Sequence, residues 1–226
     1  MSSEFTMRQR TTCPRLLGFA TVAVLAFLAA FPVLAAAGNA PSPAQGASAP
    51  QASLAPDMSP LAVGQPFPDV AFTPPLTASE ARILGIDPKA KSITAADFKA
   101  QAVILVIYSM YCPFCQREAP QLNAMHALIR DKGLSDRLKI VGLGAGNSPF
   151  EVKTFRDKYS ITFPLLPDKD FAAHTALGHV GTPFYYVLKR QGKGFTIVAT
   201  RLGQVESPEA FLTDVIAKTG LTKGNQ

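Results

Sequence analysis

Two cysteines separated by two residues carry the clearest chemical signal in this sequence. The motif Cys112-Pro113-Phe114-Cys115 follows the apolar run 102–108 and opens a stretch with the apolar spacing of a helix. At the start of a helix, unpaired N–H groups and the helix dipole favour a thiolate over a thiol. A thiolate attacks disulfides, and a second nearby thiol resolves the mixed disulfide that forms. The motif therefore predicts thiol–disulfide exchange, with Cys112 as the exposed nucleophile and Cys115 as the shielded resolving thiol.

A zinc site or an inert structural disulfide is the alternative interpretation of the same spacing. Zinc needs two further ligands at short spacing, but the other cysteine, Cys13, lies on the far side of an apolar segment. The three histidines form no His-x3-His pair: His126, His174 and His179. We therefore expect a redox-active dithiol, with no metal ion and no cofactor.

An uncharged apolar segment at residues 16–37 follows three arginines near the N-terminus. Small-x-small patterns at residues 33–35 and 35–37 fit cleavage by signal peptidase, while the length of the segment also suits a membrane span of about 20 residues. Residues 1–37 are thus predicted to be a signal peptide or an N-terminal membrane anchor. Either outcome delivers the rest of the chain to the periplasm or cell exterior, soluble or anchored by the apolar segment.

The remaining sequence divides into a linker and one folded domain. Residues 38–60 are rich in Ala, Pro, Ser and Gln and carry a single charge at Asp57, which predicts a flexible linker. Residues 61–226 are predicted to form one domain. The formal net charge is +6, but no Lys/Arg cluster suits nucleic acid. We expect no nucleic-acid partner, and membrane contact only through residues 16–37 if they are not cleaved.

Helices and strands alternate along residues 61–226. The run 102–108 is apolar on both faces, as expected of a strand covered by helices on each side, and it leads into a predicted helix over 113–131. Prolines restrict the segment 64–72 to a short edge strand. Further strands are predicted at 138–143, 162–167, 184–189 and 195–200. Further helices are predicted at 148–159, 171–177 and 207–220. The helix at 148–159 starts with a capping box formed by Ser148 and Glu151. This order predicts an α/β sandwich with a mixed central sheet.

The CxxC motif, a helix-kinking proline and a distant Thr-Pro pair occur in an order that resembles the thioredoxin superfamily. The similarity is to its extracytoplasmic TlpA-like and peroxiredoxin-like (redoxin) branch. It covers about residues 61–221 and rests on Tyr111 and the motif after the central strand, on Pro120, and on Gly181-Thr182-Pro183 before the hairpin. The resemblance implies a thioredoxin-like three-layer sandwich with a central mixed β-sheet. It also implies a protein disulfide oxidoreductase, commonly a reductase of periplasmic proteins.

The same resemblance assigns roles to residues around the two thiols. It places a cis peptide bond between Thr182 and Pro183, beside Cys112, where a substrate chain could pair with the backbone. Glu118 lies three residues after Cys115, where the TlpA-like branch often carries a glutamate, and we expect it to accept and return the proton of Cys115. The implied partners are cysteine-containing extracytoplasmic proteins and a membrane or periplasmic electron donor. Substrate contacts are expected from Tyr111, Pro113, Phe114, Thr182 and Pro183.

Departures from the family pattern leave the direction of electron flow open. Val106 stands where plain thioredoxins carry a buried aspartate, and Tyr111 stands where the family usually has tryptophan. The pair Pro113-Phe114 matches neither the thioredoxin nor the DsbA pairing, so the redox potential is undetermined. A disulfide oxidase is therefore an alternative to a reductase.

Three further alternatives remain. A thiol-dependent peroxidase would use the hydroxyl of Ser109, three residues before Cys112, although Leu105 stands where the peroxidase pattern has proline. A binding or chaperone-like module would use the thiols only structurally. The segment 142–147 is similar to a dinucleotide fingerprint, but Asn147 replaces its third glycine, so we expect a flexible strand-to-helix turn there.

Overall fold

Residues 59–75 and 77–221 are described by the structure, a computed structural model. The predicted signal peptide or anchor, residues 1–37, lies outside the described residues, and so does the predicted linker up to residue 58. None of the helices within the two described ranges combines the length and the apolar character that a membrane span requires.

A mixed sheet forms the centre of the described residues. Its strands are β1 (Ala102–Tyr108), β2 (Leu138–Ala145), β3 (Leu165–Asp168), β4 (Phe184–Gln191) and β5 (Gly194–Leu202). Their order across the sheet is β3-β2-β1-β4-β5. Both β1 and β3 pair in parallel with β2, whereas β4 runs antiparallel to β1 and to β5. The mixed central sheet predicted from the sequence is thereby confirmed.

Helices cover both faces of this sheet. They are α1 (Ala78–Leu84), α2 (Pro113–Asp131), α3 (Pro149–Tyr159), α4 (Ala172–Ala176) and α5 (Pro208–Thr219), with a 3-10 turn at Ala95–Asp97. Side chains of α2, α3 and α5 pack on one face in a single buried cluster. Side chains of α1, of α4 and of the segment before α1 pack on the other face. The result is a three-layer α/β sandwich.

The central strand β1 is buried at every residue, because helices cover the sheet on both sides. Val106 belongs to the cluster formed with α2, whereas its neighbour Leu105 belongs to the opposite cluster. In β4, Tyr185 and Tyr186 are likewise fully buried on opposite faces. With both faces packed, the carboxyl end of β1 has a fixed position from which α2 starts.

Local sequence signals account for one helix start and for one missing strand. The predicted capping box is confirmed: the Glu151 N–H donates to Ser148 Oγ at 3.3 Å, and the Ser148 N–H donates to Glu151 Oε2 at 2.7 Å. The edge strand predicted within 64–72 is reduced to two isolated bridges, at Pro66 and Phe72. Proline lacks the N–H that a β-ladder requires, so residues 64–67 form backbone hydrogen bonds with β5 but no regular strand.

A buried ion pair joins α1 to α3. Glu80 is 6% exposed, and its Oε1 atom accepts hydrogen bonds from the Arg156 guanidinium and from the Leu165 N–H, the latter at 3.0 Å. The Thr77 N–H and hydroxyl donate to Oε2 at 3.2 and 2.8 Å. The carboxylate therefore fastens α1 to α3 and to β3, and its charge is balanced by Arg156.

Arg156→Met should lower the free energy of unfolding by about 3 kcal/mol, because it leaves the Glu80 carboxylate buried without its counter-charge. Lys153→Met is a matched control in the same helix. It breaks only the exposed Lys153–Asp157 pair and should change stability by less than about 0.5 kcal/mol. Urea unfolding followed by circular dichroism measures both variants. Equal losses in the two would contradict a stabilising role for the buried pair.

Candidate active site

The two cysteines of the CxxC motif lie at the N-terminus of α2, just beyond the carboxyl end of β1. Cys112 is the N-cap residue with an extended backbone, and Pro113 takes the first helical position, where no N–H is needed. Cys112 is partly exposed, whereas Cys115 is only 1% exposed. Both are free thiols. The structure thus places one thiol at the surface and the other in the core.

Thr182 and Pro183 lie against Cys112, although the hydrogen bond between Cys112 and Thr182 spans 70 residues of sequence. The Thr182–Pro183 peptide bond is cis, and the Cys112 thiol donates to the Thr182 carbonyl oxygen at 3.3 Å. Pro183 directly precedes β4, which pairs with β1. The sheet order therefore brings the Thr-Pro loop to the exposed thiol.

The pKa values of the two thiols shift in opposite directions. Burial raises the pKa of Cys115 to about 12, and a hydrogen bond from the Ser109 backbone offsets this only in part. Burial also acts on Cys112, but hydrogen bonds from the Thr182 side chain, from Cys115 and from the Phe114 backbone outweigh it and lower the pKa of Cys112. The N–H groups of the helix start are well placed to stabilise negative charge on this sulfur. Near neutral pH, Cys112 therefore carries the larger thiolate fraction.

Glu118 is completely buried in α2, one turn beyond Cys115. Its Oε1 atom accepts hydrogen bonds from the Tyr185 hydroxyl and from the Val205 N–H, the latter at 2.9 Å. Its Oε2 atom makes no hydrogen bond of ordinary geometry with any described residue. Burial raises the pKa of Glu118, while the donors Tyr185 and Val205 oppose the rise. A carboxyl group of this kind exchanges protons closer to neutral pH than an ordinary glutamate.

Tyr185 connects Glu118 with the surroundings of Cys115. Burial raises the pKa of Tyr185, and the nearby charges of Glu118 and Cys115 raise it further. Sequence reasoning identified Glu118 but missed its two partners, Tyr185 and Val205, which lie 67 and 87 residues away. The one available signal for Tyr185 was its position in an apolar strand directly after the Thr-Pro loop.

Exposed apolar side chains occur next to Cys112 and in the segments that contact its turn. Tyr111 and Phe114 are 66% and 55% exposed, and Phe150 at the start of α3 is 76% exposed. The Tyr111 hydroxyl donates to Glu151, which links this side chain to the same helix start. Leu202, 65% exposed, lies beside the Thr-Pro loop. A group of exposed apolar side chains of this kind marks a surface that contacts other molecules.

Metal ligands do not converge within residues 59–75 and 77–221: no three His, Cys, Asp or Glu side chains form a group that could hold an ion. A groove of about 440 Å³ is lined by α1, α2 and the start of β2, with Arg82, His126 and Lys139 among its residues. The thiols follow the carboxyl end of β1, which pairs with Gly144 near the carboxyl end of β2. The groove lies at the start of β2, so the groove and the two thiols are at opposite ends of the strands.

A sequence model of the AhpC/TSA family matches residues 63–206, more than half of the chain. Curated relatives include the thiol-disulfide oxidoreductase ResA of Bacillus thuringiensis subsp. konkukian, 28% identical over 107 residues, which are 47% of this chain and 60% of that protein. ResA of Halalkalibacterium halodurans is 25% identical over 107 residues, which are 47% of this chain and 58% of that protein. The chain thus spans about 60% of the length of these curated relatives.

Solved structures share this fold. A chain from Chlorobium tepidum assigned as thiol:disulfide interchange protein DsbE has a TM-score of 0.54 and 18% identity, with 71% of this chain and 99% of that chain covered. The thioredoxin domain of a thiol-disulfide oxidoreductase from Bacteroides vulgatus has a TM-score of 0.50 and 21% identity, with 69% and 99% covered. These matches confirm the thioredoxin-like fold predicted from the sequence.

Iodoacetamide at pH 7 should modify Cys112 at least about tenfold faster than Cys115, because alkylation requires an accessible thiolate. Brief exposure of the reduced full-length protein, followed by peptide mass spectrometry, measures the two rates. Cys112→Ser provides the control, since Cys115 should stay nearly unlabelled in this variant until urea unfolds it. Faster labelling of Cys115 in the folded protein would reverse the assignment of the two thiols.

Proposed function

The chain belongs to the AhpC/TSA family, and we propose that it acts as a thiol–disulfide oxidoreductase through Cys112 and Cys115. The observation that carries this proposal is the contrast between two thiols at one helix start. The pKa of the partly exposed Cys112 is lowered, while that of the buried Cys115 is raised to about 12. One thiol is thus suited to attack a disulfide and the other to resolve it. The names of the ResA relatives support the same activity.

The reaction consists of two exchanges. In the first, the Cys112 thiolate attacks a substrate disulfide, a bond forms between Cys112 Sγ and one substrate sulfur, and the other substrate sulfur leaves and takes up a proton. In the second, Cys115 loses its proton and attacks Cys112 Sγ, so that the Cys112–Cys115 disulfide forms and the second substrate thiolate is released and protonated. Two electrons have then passed to the substrate. A dithiol electron donor returns the pair to the reduced state.

Glu118 serves as the proton acceptor for Cys115 in the second exchange and returns the proton on reduction. A thiol buried as deeply as Cys115 holds its proton tightly, so the resolving step needs a nearby base. Val106 supplies no carboxylate from the strand beneath, whereas Glu118 lies one turn along the same helix. Its raised pKa makes the carboxylate a stronger base than an exposed glutamate.

The exposed apolar side chains around Cys112 support binding of a polypeptide substrate. Tyr111, Pro113 and Phe114 flank the nucleophile, and the Thr182 backbone next to Pro183 offers an edge with which an extended substrate chain can pair. We propose that the substrates are cysteine-containing extracytoplasmic proteins, reduced by this chain and supplied with electrons by a membrane or periplasmic donor. The predicted signal or anchor segment at residues 1–37 supports this location.

The reduced full-length protein should reduce insulin disulfides, with dithiothreitol as the electron donor. Cys115→Ser, reduced beforehand and mixed with insulin after removal of the dithiothreitol, should instead accumulate mixed disulfides with the substrate. Without Cys115, the first exchange proceeds but no thiol resolves the product. Turbidity measures the reduction, and non-reducing electrophoresis detects the adducts. Hydrogen peroxide tested in parallel separates this activity from that of a peroxidase. No insulin reduction together with rapid peroxide consumption would reject the proposal.

Glu118→Gln should slow the resolving step by about tenfold or more and remove part of its pH dependence. In the wild type, the step should slow as pH falls through the raised pKa of Glu118, because the protonated carboxyl cannot accept a proton. The glutamine cannot titrate, so its rate should stay low across that range. Release of the second thiolate from an aromatic disulfide, followed by stopped-flow absorbance, measures the step.

The control is Glu206→Gln, which removes an exposed carboxylate from the residue next to Val205. This variant should keep both the wild-type rate and the wild-type pH profile. If Glu118→Gln also retained the wild-type profile, the proton of Cys115 would have to leave through solvent, and Glu118 would have no part in the transfer.

A further inference from the structure

Side chains from outside the β1–α2 turn hold both polar backbone groups of Met110. The turn comprises Ser109 to Cys112 and is closed by the Cys112 N–H, which donates to the Ser109 carbonyl at 3.1 Å. The Met110 N–H donates to Asn147 Oδ1 at 2.9 Å, and the Met110 carbonyl accepts from Gln116 Nε2 at 2.8 Å. The peptide groups two residues before the nucleophile are thus satisfied by side chains rather than by secondary structure.

Asn147 reaches Met110 from the connection between β2 and α3. Its side chain is completely buried, its N–H donates to the Gly144 carbonyl at 2.9 Å, and its carbonyl accepts from the Asp168 N–H at 3.2 Å. A Cβ atom at Gly144 would lie 3.1 Å from Asn147 Cβ and 3.2 Å from Oδ1, so a larger residue there would press on the amide. Asn147 is therefore a rigid acceptor, tied to the sheet on two sides.

This arrangement differs from the flexible turn that the sequence predicted over residues 142–147. Residues up to Ala145 belong to β2, and the turn is confined to the next two residues. The first turn of α3 makes a second contact with the β1–α2 turn, because Glu151 accepts a hydrogen bond from the Tyr111 hydroxyl. Two residues that precede Cys112 are thus held by the β2–α3 connection and the start of α3.

Gln116 holds the carbonyl group of Met110 from within α2. Its backbone N–H donates to the Cys112 carbonyl at 3.1 Å in the first turn of the helix, while its half-buried side chain reaches back to the Met110 carbonyl. Gln116 therefore joins the helix start to the turn that precedes it. Asn147 and Gln116 thus bind the two peptide groups that flank the Met110 Cα atom, from two independent elements.

We propose that Asn147 and Gln116 are positioning residues, which hold the backbone of Met110 so that Cys112 Sγ stays at the helix start and against Thr182. This inference rests on the proposed role of Cys112 as the nucleophile. Hydrogen bonds weaken steeply as their distance and angle depart from the optimum. A small rotation of the turn would therefore weaken the contacts that stabilise the Cys112 thiolate, without removing any group that touches the sulfur.

Gln116→Met tests the inference with little risk to folding, because methionine has similar length and helix propensity. The thiolate of Cys112 is titrated through the rate of iodoacetamide labelling between pH 5 and 10. The midpoint should rise so that the thiolate fraction at neutral pH falls about threefold, which corresponds to about half a pH unit. Gln121→Met, in the same helix but outside the site, is the matched control and should keep the wild-type midpoint.

Asn147→Ala should shift the midpoint in the same direction, and the double variant should shift it by less than the sum of the single shifts, since both side chains hold the backbone of one residue. An unchanged midpoint in Gln116→Met overturns the inference, whether or not Asn147→Ala folds. An equal rise in Gln121→Met also overturns it, because the shift would then be unspecific. Labelling does not depend on catalysis, so a wild type without insulin reduction would reject the proposed function and leave the midpoint test intact.

Discussion

Burial of β1 on both faces is the constraint on which the position of both thiols depends. A strand packed from two sides cannot slide or rotate without disrupting two buried clusters, so its carboxyl end is fixed. α2 must start within one turn of that end and cover one face of the sheet. Cys112 therefore lies beyond the carboxyl end of the central strand, and Cys115 points into the core. The antiparallel pairing of β4 with β1 then brings Pro183, which precedes β4, to the carboxyl end of β1.

Two buried glutamates show how their partners decide what a carboxyl group can do. Glu80 is balanced by Arg156 and serves to join helices. No salt bridge among the described residues includes Glu118, which is held by a tyrosine hydroxyl and a backbone N–H. Burial raises the pKa of Glu118, although the charge of Arg201 opposes the rise, so its proton is exchanged closer to neutral pH than that of an exposed glutamate. The first glutamate is suited to stability, and the second to proton transfer.

Sequence patterns predicted the features that depend on neighbouring residues. The CxxC motif at a helix start, the central strand and the capping box at Ser148 all follow from local chemistry, and the family resemblance supplied Glu118 and Pro183. Patterns failed where the determining contact is distant. Nothing near Asn147 in the sequence indicates that its amide binds Met110, 37 residues earlier. Such pairings depend on strand order, which single residues do not encode.

Cysteine is an unusual choice for the N-cap of a long helix. Serine, threonine, aspartate or asparagine at this position accepts a hydrogen bond from the first turn, and such a cap contributes about 1 kcal/mol. The Cys112 side chain makes no capping hydrogen bond. As a thiolate, however, the sulfur is stabilised by the backbone of Phe114 and Cys115. The N–H groups that a serine or aspartate cap would bind are thus left to stabilise the thiolate, so that the start of α2 is a place where fold stability has been exchanged for reactivity.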